Sequence, residues 1–479
     1  MKTTSAQTPL YRQLAETLAN QIRQGAYSEG DKLPAIRLAA KQHGVSISTV
    51  IESYAKLQEW DLVEVRPKSG YYVCHREAVQ FAPPKMHIST KLTPEHVSTS
   101  QLVMDVMNSS QHFGQTSLGA AIPSSEFPIL HQLKRSFANI VRQEPFLGIG
   151  YDSNKGNPQL RQQIARRATE AGVFTNAEEV VITPGCQGAI GLCLRVLCRP
   201  GDIVAVESPT YYGLLQLIES QGLKALEIPT DPERGMSIPA LRLALEQWPV
   251  KAILAVPNFS NPTGTLMPDS DKRELIGLLD EFDVPLIEDD IYGDLAYQSQ
   301  RPKAVKSFDT QGRVLLCSSA SKVLEPQLGL GWVLPGRYLE QIEYERFLNS
   351  STHFRLPQMA LAKVMGKSSY DRHLHLARET YKQRRDRLFD LVVKHFPEDI
   401  RVSQPRGGFV AWIQLPPQIN ATKLYFEAKE QGVLIAPGEI FSSNPHKYRH
   451  SIRLTYAEEW TRTREQAIAT LGQLIRAHL

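Results

Sequence analysis

The sequence has few of the features that mark membrane, secreted or metal-binding proteins. It contains no apolar run long enough to span a bilayer, and its first residues, Met1–Ser5, lack the apolar stretch of a secretory signal. Its five cysteines form no CxxC pair and no metal-ligand spacing, and the net charge of +4 is too small to indicate a partner by itself. We therefore expect a cytoplasmic protein with reduced, mostly buried thiols, no metal site and no membrane contact.

Breaks in composition divide the 479-residue chain into three predicted parts, in line with about three domain-sized units for this length. The parts are a small domain at 1–76, a linker at 77–112, and a large domain at 113–479 whose smaller C-terminal subdomain starts at about residue 341. In the linker, Pro83-Pro84 and Ser- and Thr-rich sequence interrupt every regular period. A short amphipathic segment from Leu102 to Met107 is expected to dock on the large domain.

Residues 1–76 show the pattern of three short helices followed by a hairpin. Apolar residues recur every four positions in the first helix, a proline opens the second, and Ser46 can cap the third. On the third helix, Val50 and Tyr54 share one face and are expected to point into the core. The predicted elements are helices through Leu10–Ile22, Leu33–Gly44 and Ile47–Gln58, and strands at 62–65 and 71–73 joined by the basic turn Arg66-Pro67-Lys68-Ser69-Gly70.

Three helices and a hairpin with a basic tip make a winged helix-turn-helix. The segments Gly30-Asp31-Lys32-Leu33-Pro34, Arg37, Val45-Ser46, Thr49-Val50 and Gly70 resemble, in this order, the DNA-binding domain of the GntR family. The resemblance implies binding of double-stranded DNA, with the third helix reading base edges in the major groove and phosphate contacts positioning the domain. The DNA-contacting residues that it implies are Arg37, Ser46, Ile47, Thr49, Lys68, Ser69 and Gly70.

One residue of the third helix departs from the GntR pattern. The family usually has arginine directly after the capping serine, and this chain has Ile47. Arginine can make a bidentate contact with guanine, whereas isoleucine can pack on a thymine methyl, so we expect a different operator preference and a lower intrinsic affinity. Lysine and arginine barely outnumber aspartate and glutamate in 1–76, so a helical interaction module that does not touch DNA stays open as an alternative.

In the large domain, one lysine follows a predicted buried strand. The apolar run Arg313-Val314-Leu315-Leu316 has the length of a buried strand, and the small, serine-rich turn after it carries Lys322. Partial desolvation there would lower the pKa of the ammonium and free the amine to form a Schiff base with an aldehyde. A Ser-x-Ser-Lys sequence alone is more often a solvated surface lysine, so the interpretation depends on the segments upstream.

Four segments upstream of Lys322 place polar groups after predicted strands. From Glu178 to Leu316, strand-like and helical stretches alternate, as a parallel sheet covered on both faces requires. The turn Thr183-Pro184-Gly185-Cys186 opens an apolar helix, so its amides can hold a phosphate. The other segments are Glu207–Gly213 with two tyrosines, Pro257–Gly264 with Asn261, and Leu286–Tyr292 with carboxylates and a phenol.

Together with Lys322, these segments resemble the fold type I pyridoxal-phosphate family of the aspartate aminotransferase class over roughly residues 113–479. The resemblance implies an α/β fold, with a large, mixed but mostly parallel sheet domain, a small C-terminal α+β subdomain, and pyridoxal 5'-phosphate as cofactor. It also implies a two-fold homodimer with composite sites, because Tyr151 matches a tyrosine that reaches the cofactor phosphate of the neighbouring subunit. The other implied roles are Lys322 as the aldimine lysine, Asp289 on the pyridinium nitrogen, Tyr292 and Asn261 on the ring oxygen, Tyr211 stacked on the ring, Gly185, Cys186 and Ser319 on the phosphate, and Arg453 on a substrate or effector carboxylate.

The segment after Lys322 departs from the pattern of this family. The family has an arginine there that neutralises the cofactor phosphate, and this chain has Gly329 at that position and Gln327 at the position of a preceding glycine. Loss of the bidentate cation predicts that the cofactor is held less tightly than is usual for the fold. Another lysine or arginine, distant in sequence, could fill the gap.

A GntR winged helix followed by a fold type I domain resembles the MocR family of bacterial regulators across the whole chain. The resemblance implies a transcriptional regulator that senses pyridoxal phosphate, or an amine or amino acid that forms an external aldimine with it at Lys322. Closure of the small subdomain would shift the dimer between DNA-binding states. A catalytically active aminotransferase with a DNA-binding appendix and a purely dimerising scaffold stay open as alternatives, so enzymatic turnover is not predicted from the sequence.

Overall fold

The chain folds into two compact units, Met1–Gln80 and Phe81–Leu479. The computed structural model describes residues 9–23, 26–27, 30–60, 62–66, 69–74, 79, 81–87, 92–97, 101–109, 114–143, 153–298, 300–349 and 354–479. Among these residues, no helix is both long enough and apolar enough to cross a membrane.

The first unit consists of three helices and a two-stranded wing. Its elements are α1 (Leu10–Arg23), α2 (Ile36–His43), α3 (Ile47–Glu59), β1 (Val63–Arg66) and β2 (Gly70–Val73). The α3 residues Val50 and Tyr54 are buried against α1, as their spacing predicts. The Tyr54 hydroxyl also donates to the Pro34 carbonyl oxygen at 2.8 Å, which ties α3 to the start of α2. The opposite side of α3 is exposed.

The second unit begins with a large mixed sheet and its helices. Its elements up to the end of that sheet are β3 (Glu95–His96), α4 (Gln101–Ser109), β4 (Thr116–Ser117), α5 (Ile129–Gln143), α6 (Pro158–Ala168), β5 (Val181–Pro184), α7 (Gly185–Leu197), β6 (Ile203–Ser208), α8 (Tyr212–Ser220), β7 (Lys224–Asp231), β8 (Gly235–Met236), α9 (Ile238–Gln247), β9 (Val250–Ala255), α10 (Asp269–Phe282), β10 (Leu286–Asp289), β11 (Val314–Ser319) and β12 (Leu330–Leu334). The strand order is β3-β7-β6-β9-β10-β11-β12-β5, with β8 beside β7. Strands β6, β7, β9, β10 and β11 run parallel, and β12 is antiparallel to both β11 and β5.

Both faces of the large sheet are buried, which explains the nearly continuous apolar runs of its strands. Alternate residues point to opposite faces. On β9, Ala252 packs in a core with α7 and α8, whereas the next residue, Ile253, packs in a core with α9 and α10. The mostly parallel sheet predicted from alternating strand and helix patterns is therefore confirmed.

The remaining elements build the small C-terminal subdomain and the helices that lead to it. They are α11 (Leu339–Asn349), α12 (Arg355–Met365), α13 (Ser368–His395), β13 (Arg401–Val402), β14 (Val410–Gln414), α14 (Ala421–Glu430), β15 (Val433–Leu434), β16 (Ala436–Pro437), β17 (Ser451–Thr455) and α15 (Arg462–Ala477). A four-stranded sheet in the order β13-β14-β17-β16 forms its centre. The predicted subdomain start, about residue 341, falls inside α11, whose Ile342 packs in the large core.

Much of the predicted linker is folded onto the second unit. We call its described residues between Phe81 and Ser109 the strap. The Ala82 carbonyl accepts from the Val402 amide at 3.2 Å, and the Leu92 carbonyl accepts from the Trp248 indole at 3.0 Å. Strand β3 then joins the edge of the large sheet beside β7, and α4 follows. The proline- and serine-rich composition of this segment gives no indication of these hydrogen bonds.

Candidate functional site

A cavity of about 370 Å³ lies at the carboxyl ends of the parallel strands. Ligands of open α/β sheets bind at this edge, because the turns that follow neighbouring strands converge there. All of the predicted cofactor and effector residues that the structure describes line this cavity. They are Gly185, Cys186, Tyr211, Asn261, Asp289, Tyr292, Ser319, Lys322 and Arg453. Tyr151 lies outside the described residues.

One end of the cavity is formed by the first turn of α7 and the end of β11. Gly185 opens α7 with φ +70, and the amides of a helix start are donors without intrahelical partners. Strand β12 passes so close that a Cβ on Gly331 would collide with the Gly185 backbone. We call this end of the cavity the cup. It offers the amide donors of the first turn of α7 and the Ser319 hydroxyl. Among the described residues that line the cavity, the cationic side chains are Lys322 and Arg453, and neither belongs to α7.

Asp289 ends β10 as a buried carboxylate that lines the cavity. Its Oδ1 accepts from the Cys186 thiol at 3.3 Å and from the Ile291 amide at 3.2 Å. Burial raises the pKa of Asp289 to about 6, and the hydrogen bond from Cys186 opposes the rise. A cationic nitrogen bound beside this carboxylate would lower its pKa again and keep it ionised.

Lys322 faces the same space from the turn after β11. Its Nζ donates to the Ala121 carbonyl at 2.7 Å. Burial, with a further contribution from the positive charge of Arg453, lowers the pKa of Lys322 from 10.5 to about 8. A much larger fraction of this amine is therefore unprotonated and nucleophilic near neutral pH than for an ordinary lysine.

Two buried polar groups on the cavity wall complete the site. The Tyr292 hydroxyl has no hydrogen-bond partner among the described residues, so it is a donor suited to an oxygen of a ligand. The Arg453 guanidinium donates to Asn261 Oδ1 at 2.9 Å and to the Gly119 carbonyl. Arg453 is 2% exposed, and burial lowers its pKa below the ordinary value for arginine.

The cavity also has apolar walls that the sequence analysis did not assign to the site. Val106 and Met107 of α4 contribute from the strap, and Tyr212 and Tyr425 contribute from α8 and α14. The amphipathic pattern of residues 102–107 predicts a docked segment, but apolar side chains carry no signal that identifies what they face. Their place in the cavity wall can be known only from the tertiary structure.

The first unit presents a second candidate surface, on α2, α3 and the wing. Arg37 and Ile47 are exposed, and Ser46 caps α3 by accepting from the Thr49 amide at 3.1 Å. The hydroxyls of Ser46 and Thr49 lie 2.8 Å apart. Gly70 opens β2 after Ser69. Lys68 lies outside the described residues.

Two cations at the wing, Arg66 and Lys32, were not assigned a DNA contact in the sequence analysis. The Arg66 guanidinium stacks on the Tyr72 ring at 4.2 Å from its centroid, and Lys32 Nζ lies 5.8 Å from the same centroid. The Tyr72 hydroxyl is 2.6 Å from Ser69 Oγ. The bridge that brings Lys32 beside Tyr72 joins residues 40 apart in the chain, so the sequence alone gave no signal for this cluster.

The first unit is a winged helix whose third helix has an exposed face, the fold of a DNA-binding regulator. The second unit is a mostly parallel sheet with a buried aspartate and lysine after neighbouring strands, the arrangement of an aminotransferase-type domain. Residues 10–73 match the bacterial regulatory proteins of the gntR family, and residues 147–471 match aminotransferase class I and II. The chain therefore belongs to the aminotransferase class I and II family, as a GntR-type transcriptional regulator fused to that domain. The predicted resemblance and fold class are confirmed.

Similar proteins support both halves of this assignment. The HTH-type transcriptional regulator YjiR of Escherichia coli is 38% identical over 97% of this chain and 98% of its own length. YdcR of the same organism is 34% identical over 98% of this chain and 99% of its own length. The multiple substrate aminotransferase of Thermococcus profundus superposes with a TM-score of 0.73 at 26% identity, covering 80% of this chain and 96% of that structure.

Aminotransferases of class I and II depend on pyridoxal phosphate, and the residues present here fit that group. The unpartnered Tyr292 hydroxyl suits the ring oxygen, Asp289 suits a protonated ring nitrogen, and the amides at Gly185 suit the phosphate. The poorest match is the phosphate end, because neither cation of the described lining, Lys322 or Arg453, belongs to α7.

Proposed function

We propose that this regulator holds pyridoxal phosphate at Lys322 and changes its DNA binding when an amine or amino acid reacts with the cofactor. The observation that carries the proposal is the convergence of nine predicted residues, from segments far apart in sequence, on one cavity. When bound, the cofactor would supply an aldehyde and an electron-withdrawing ring.

The side chains have separate tasks in this proposal. Lys322 supplies the amine, whose lowered pKa favours the reactive form. Asp289 would hold the ring nitrogen protonated, Tyr292 and Asn261 would hydrogen-bond the ring oxygen, and Tyr211 would pack on the ring. The phosphate would be held by Gly185, Cys186 and Ser319, together with Tyr151 of a second copy, and Arg453 would bind an effector carboxylate.

Helix α4 connects the cavity wall with the small subdomain. Asp105 on α4 accepts from Tyr425 Oη and from Lys429 Nζ, both at 2.7 Å. Because Tyr425 and Met107 both line the cavity, an effector that moves the small subdomain would also move α4. We propose that such a movement is passed along the strap, which in sequence connects α4 with Phe81, where the second unit begins.

Exposed apolar residues on and after α11 favour a homodimer. On α11, Tyr344 is 66% exposed, and Phe347 and Leu348 are also exposed. Phe354, directly before α12, is 87% exposed. A concentration of large apolar side chains on one helix is typical of an interaction surface. We propose that a second copy of the chain covers it, as composite cofactor sites require.

A working aminotransferase is the second candidate, because the cavity retains the reactive lysine and its aspartate. Turnover of an amino acid with a keto acid would support it. Ligand-dependent DNA binding without turnover would support the sensor.

The proposed function predicts DNA binding that depends on salt, on Arg37 and on the effector. We expect Arg37→Ala to weaken binding of the cofactor-loaded protein and to reduce the slope of log affinity against log salt by about one, since one phosphate contact is lost. Fluorescence anisotropy at several salt concentrations, with and without a panel of amino acids, measures both effects. The matched control is Arg12→Ala on α1, whose arginine pairs with Glu16. Equal affinity of Arg37→Ala and wild type at matched salt would remove Arg37 from the interface.

Substitution of Gly329 tests whether the cofactor is held weakly because this chain lacks the family's phosphate-binding arginine. Gly329 has φ +60, a Cβ there meets no atom within 4 Å, and the next residue, Leu330, pairs with Pro184 beside the phosphate cup. We expect Gly329→Arg to bind pyridoxal phosphate about ten- to a hundredfold more tightly, because a charge-assisted hydrogen bond contributes roughly 1.5–3 kcal/mol.

The control for this prediction is Gly329→Gln, which carries the same backbone strain without the charge. The left-handed backbone should lower the melting temperature of both variants, which separates strain from affinity. Fluorescence titration of the apo proteins measures the affinities. Nanomolar binding by wild type, with no gain from arginine, would mean that another cation neutralises the phosphate.

A further inference from the structure

The exposed face of α3 presents methyl groups where a DNA-reading helix commonly presents cations. Ile47 is 50% exposed and Ile51 is 44% exposed. They are four residues apart, so they lie next to each other on one helix face. Val50, Tyr54 and Leu57 are buried and form the adjoining face of the helix. The first half of α3, Ile-Ser-Thr-Val-Ile-Glu-Ser, contains neither lysine nor arginine.

The polar groups at the start of α3 are engaged within the helix. Ser46 Oγ lies 2.8 Å from both Ser48 Oγ and Thr49 Oγ1, and it also caps the Thr49 amide. The remaining polar residue of the exposed face, Glu52, can only accept hydrogen bonds when ionised. Guanine presents only acceptors, N7 and O6, in the major groove, so Glu52 offers it no partner.

Cations lie on the two elements that pack against α3, helix α2 and the wing. Arg37 and Lys41 are exposed on α2, and Lys32 and Arg66 surround Tyr72 at the wing. This arrangement complements DNA, whose phosphates border a groove lined with base edges. Thymine is the base that presents a methyl group in the major groove.

We infer that Ile47 and Ile51 read thymine methyl groups, so each half-site of the operator carries thymines where the start of α3 enters the groove. Four residues of helix advance about 6 Å. Successive base pairs are about 3.4 Å apart, so the two thymines lie within about two base steps of each other. The inference rests on the proposed DNA binding and specifies which bases are read.

The test uses duplexes selected from a random library by the full-length, cofactor-loaded protein. Each thymine of the selected duplex is replaced in turn by deoxyuridine, which lacks only the methyl group. We expect one or two positions in each half-site at which this change weakens wild-type binding about fourfold, the effect of one buried methyl group. Ile47→Ala and Ile51→Ala should each lose the sensitivity at one of these positions. Ile47→Arg should instead select guanine at its position.

The control variant is Leu10→Ala, which removes an exposed apolar side chain, 64% accessible, from α1 and should keep the full deoxyuridine profile. Melting temperatures verify that the variants are folded. The inference would be overturned if deoxyuridine weakened binding at no position, or if both alanine variants kept the wild-type deoxyuridine profile. Either result would leave DNA binding itself intact. Loss of dimerisation in those variants, with an unchanged profile, would assign the face to a protein contact instead. Failure to select any duplex would overturn the DNA-binding proposal itself, and this inference with it.

Discussion

Lys322→Ala is expected to abolish covalent retention of pyridoxal phosphate. Among the described residues that line the cavity, Lys322 carries the one primary amine. Removing it leaves the aldehyde without a nucleophile, although the cup at Gly185 and the Asp289 carboxylate are unchanged. Reduction with borohydride, followed by mass spectrometry of the intact protein, measures the trapped fraction. We expect complete trapping in wild type and none in the variant.

Lys322→Arg is the control for this prediction, because it keeps a positive charge in the cavity but cannot form a Schiff base with the cofactor. It should bind the cofactor without trapping it. The pH dependence supplies a second readout. Because burial lowers the pKa of Lys322 to about 8, the rate of incorporation should rise with pH and level off above about 8, far below the 10.5 of an ordinary lysine. Covalent trapping in Lys322→Ala would assign the reaction to another lysine.

Arg453→Ala is expected to weaken the binding of amino acids while leaving the binding of simple amines unchanged. A bidentate arginine–carboxylate pair contains two charge-assisted hydrogen bonds, each contributing roughly 1.5–3 kcal/mol. Their loss should weaken amino-acid binding by about a hundredfold or more. Amines without a carboxylate make no such contact, so their affinity should stay close to that of wild type. The change in the cofactor absorbance spectrum during titration measures both.

The control is Arg453→Lys, which keeps the charge but lacks the planar fork, and it should recover only part of the affinity. Arg453 is buried and bonded to Asn261 and Gly119, so its removal also disturbs the site itself. Equal losses for amino acids and for amines would therefore indicate structural damage. Unchanged affinity for amino acids would show that Arg453 does not bind the carboxylate.

Which residues meet in the cavity could be predicted because their positions depend on topology. Asp289 ends β10, Ser319 ends β11 and Gly185 follows β5, and the carboxyl ends of parallel strands share one edge of the sheet. The order of the motifs was therefore sufficient to place them together. The buried setting of Lys322, with its lowered pKa, was predicted for the same reason, because it follows a buried strand directly.

The walls of the cavity and the strap could not be predicted in this way. Met107 and Tyr425 are ordinary core residues by their pattern, and a proline-rich, serine-rich segment gives no sign that it will bond to Trp248 or extend a sheet. Such contacts join residues distant in sequence, and several alternative packings satisfy the same local pattern.

For the DNA-binding unit, the sequence by itself determined the three helices, the wing and the unusual Ile47. Helix periodicity, a capping serine and a turn at Gly70 are local properties of the chain, fixed by backbone geometry and by side chains a few residues apart. Only the tertiary structure decided that the face carrying Ile47 and Ile51 is exposed and that α4 closes one wall of the cavity. The physical reason is that exposure and contact depend on which faces the rest of the fold buries, and that is set by packing across the whole unit rather than by any segment alone.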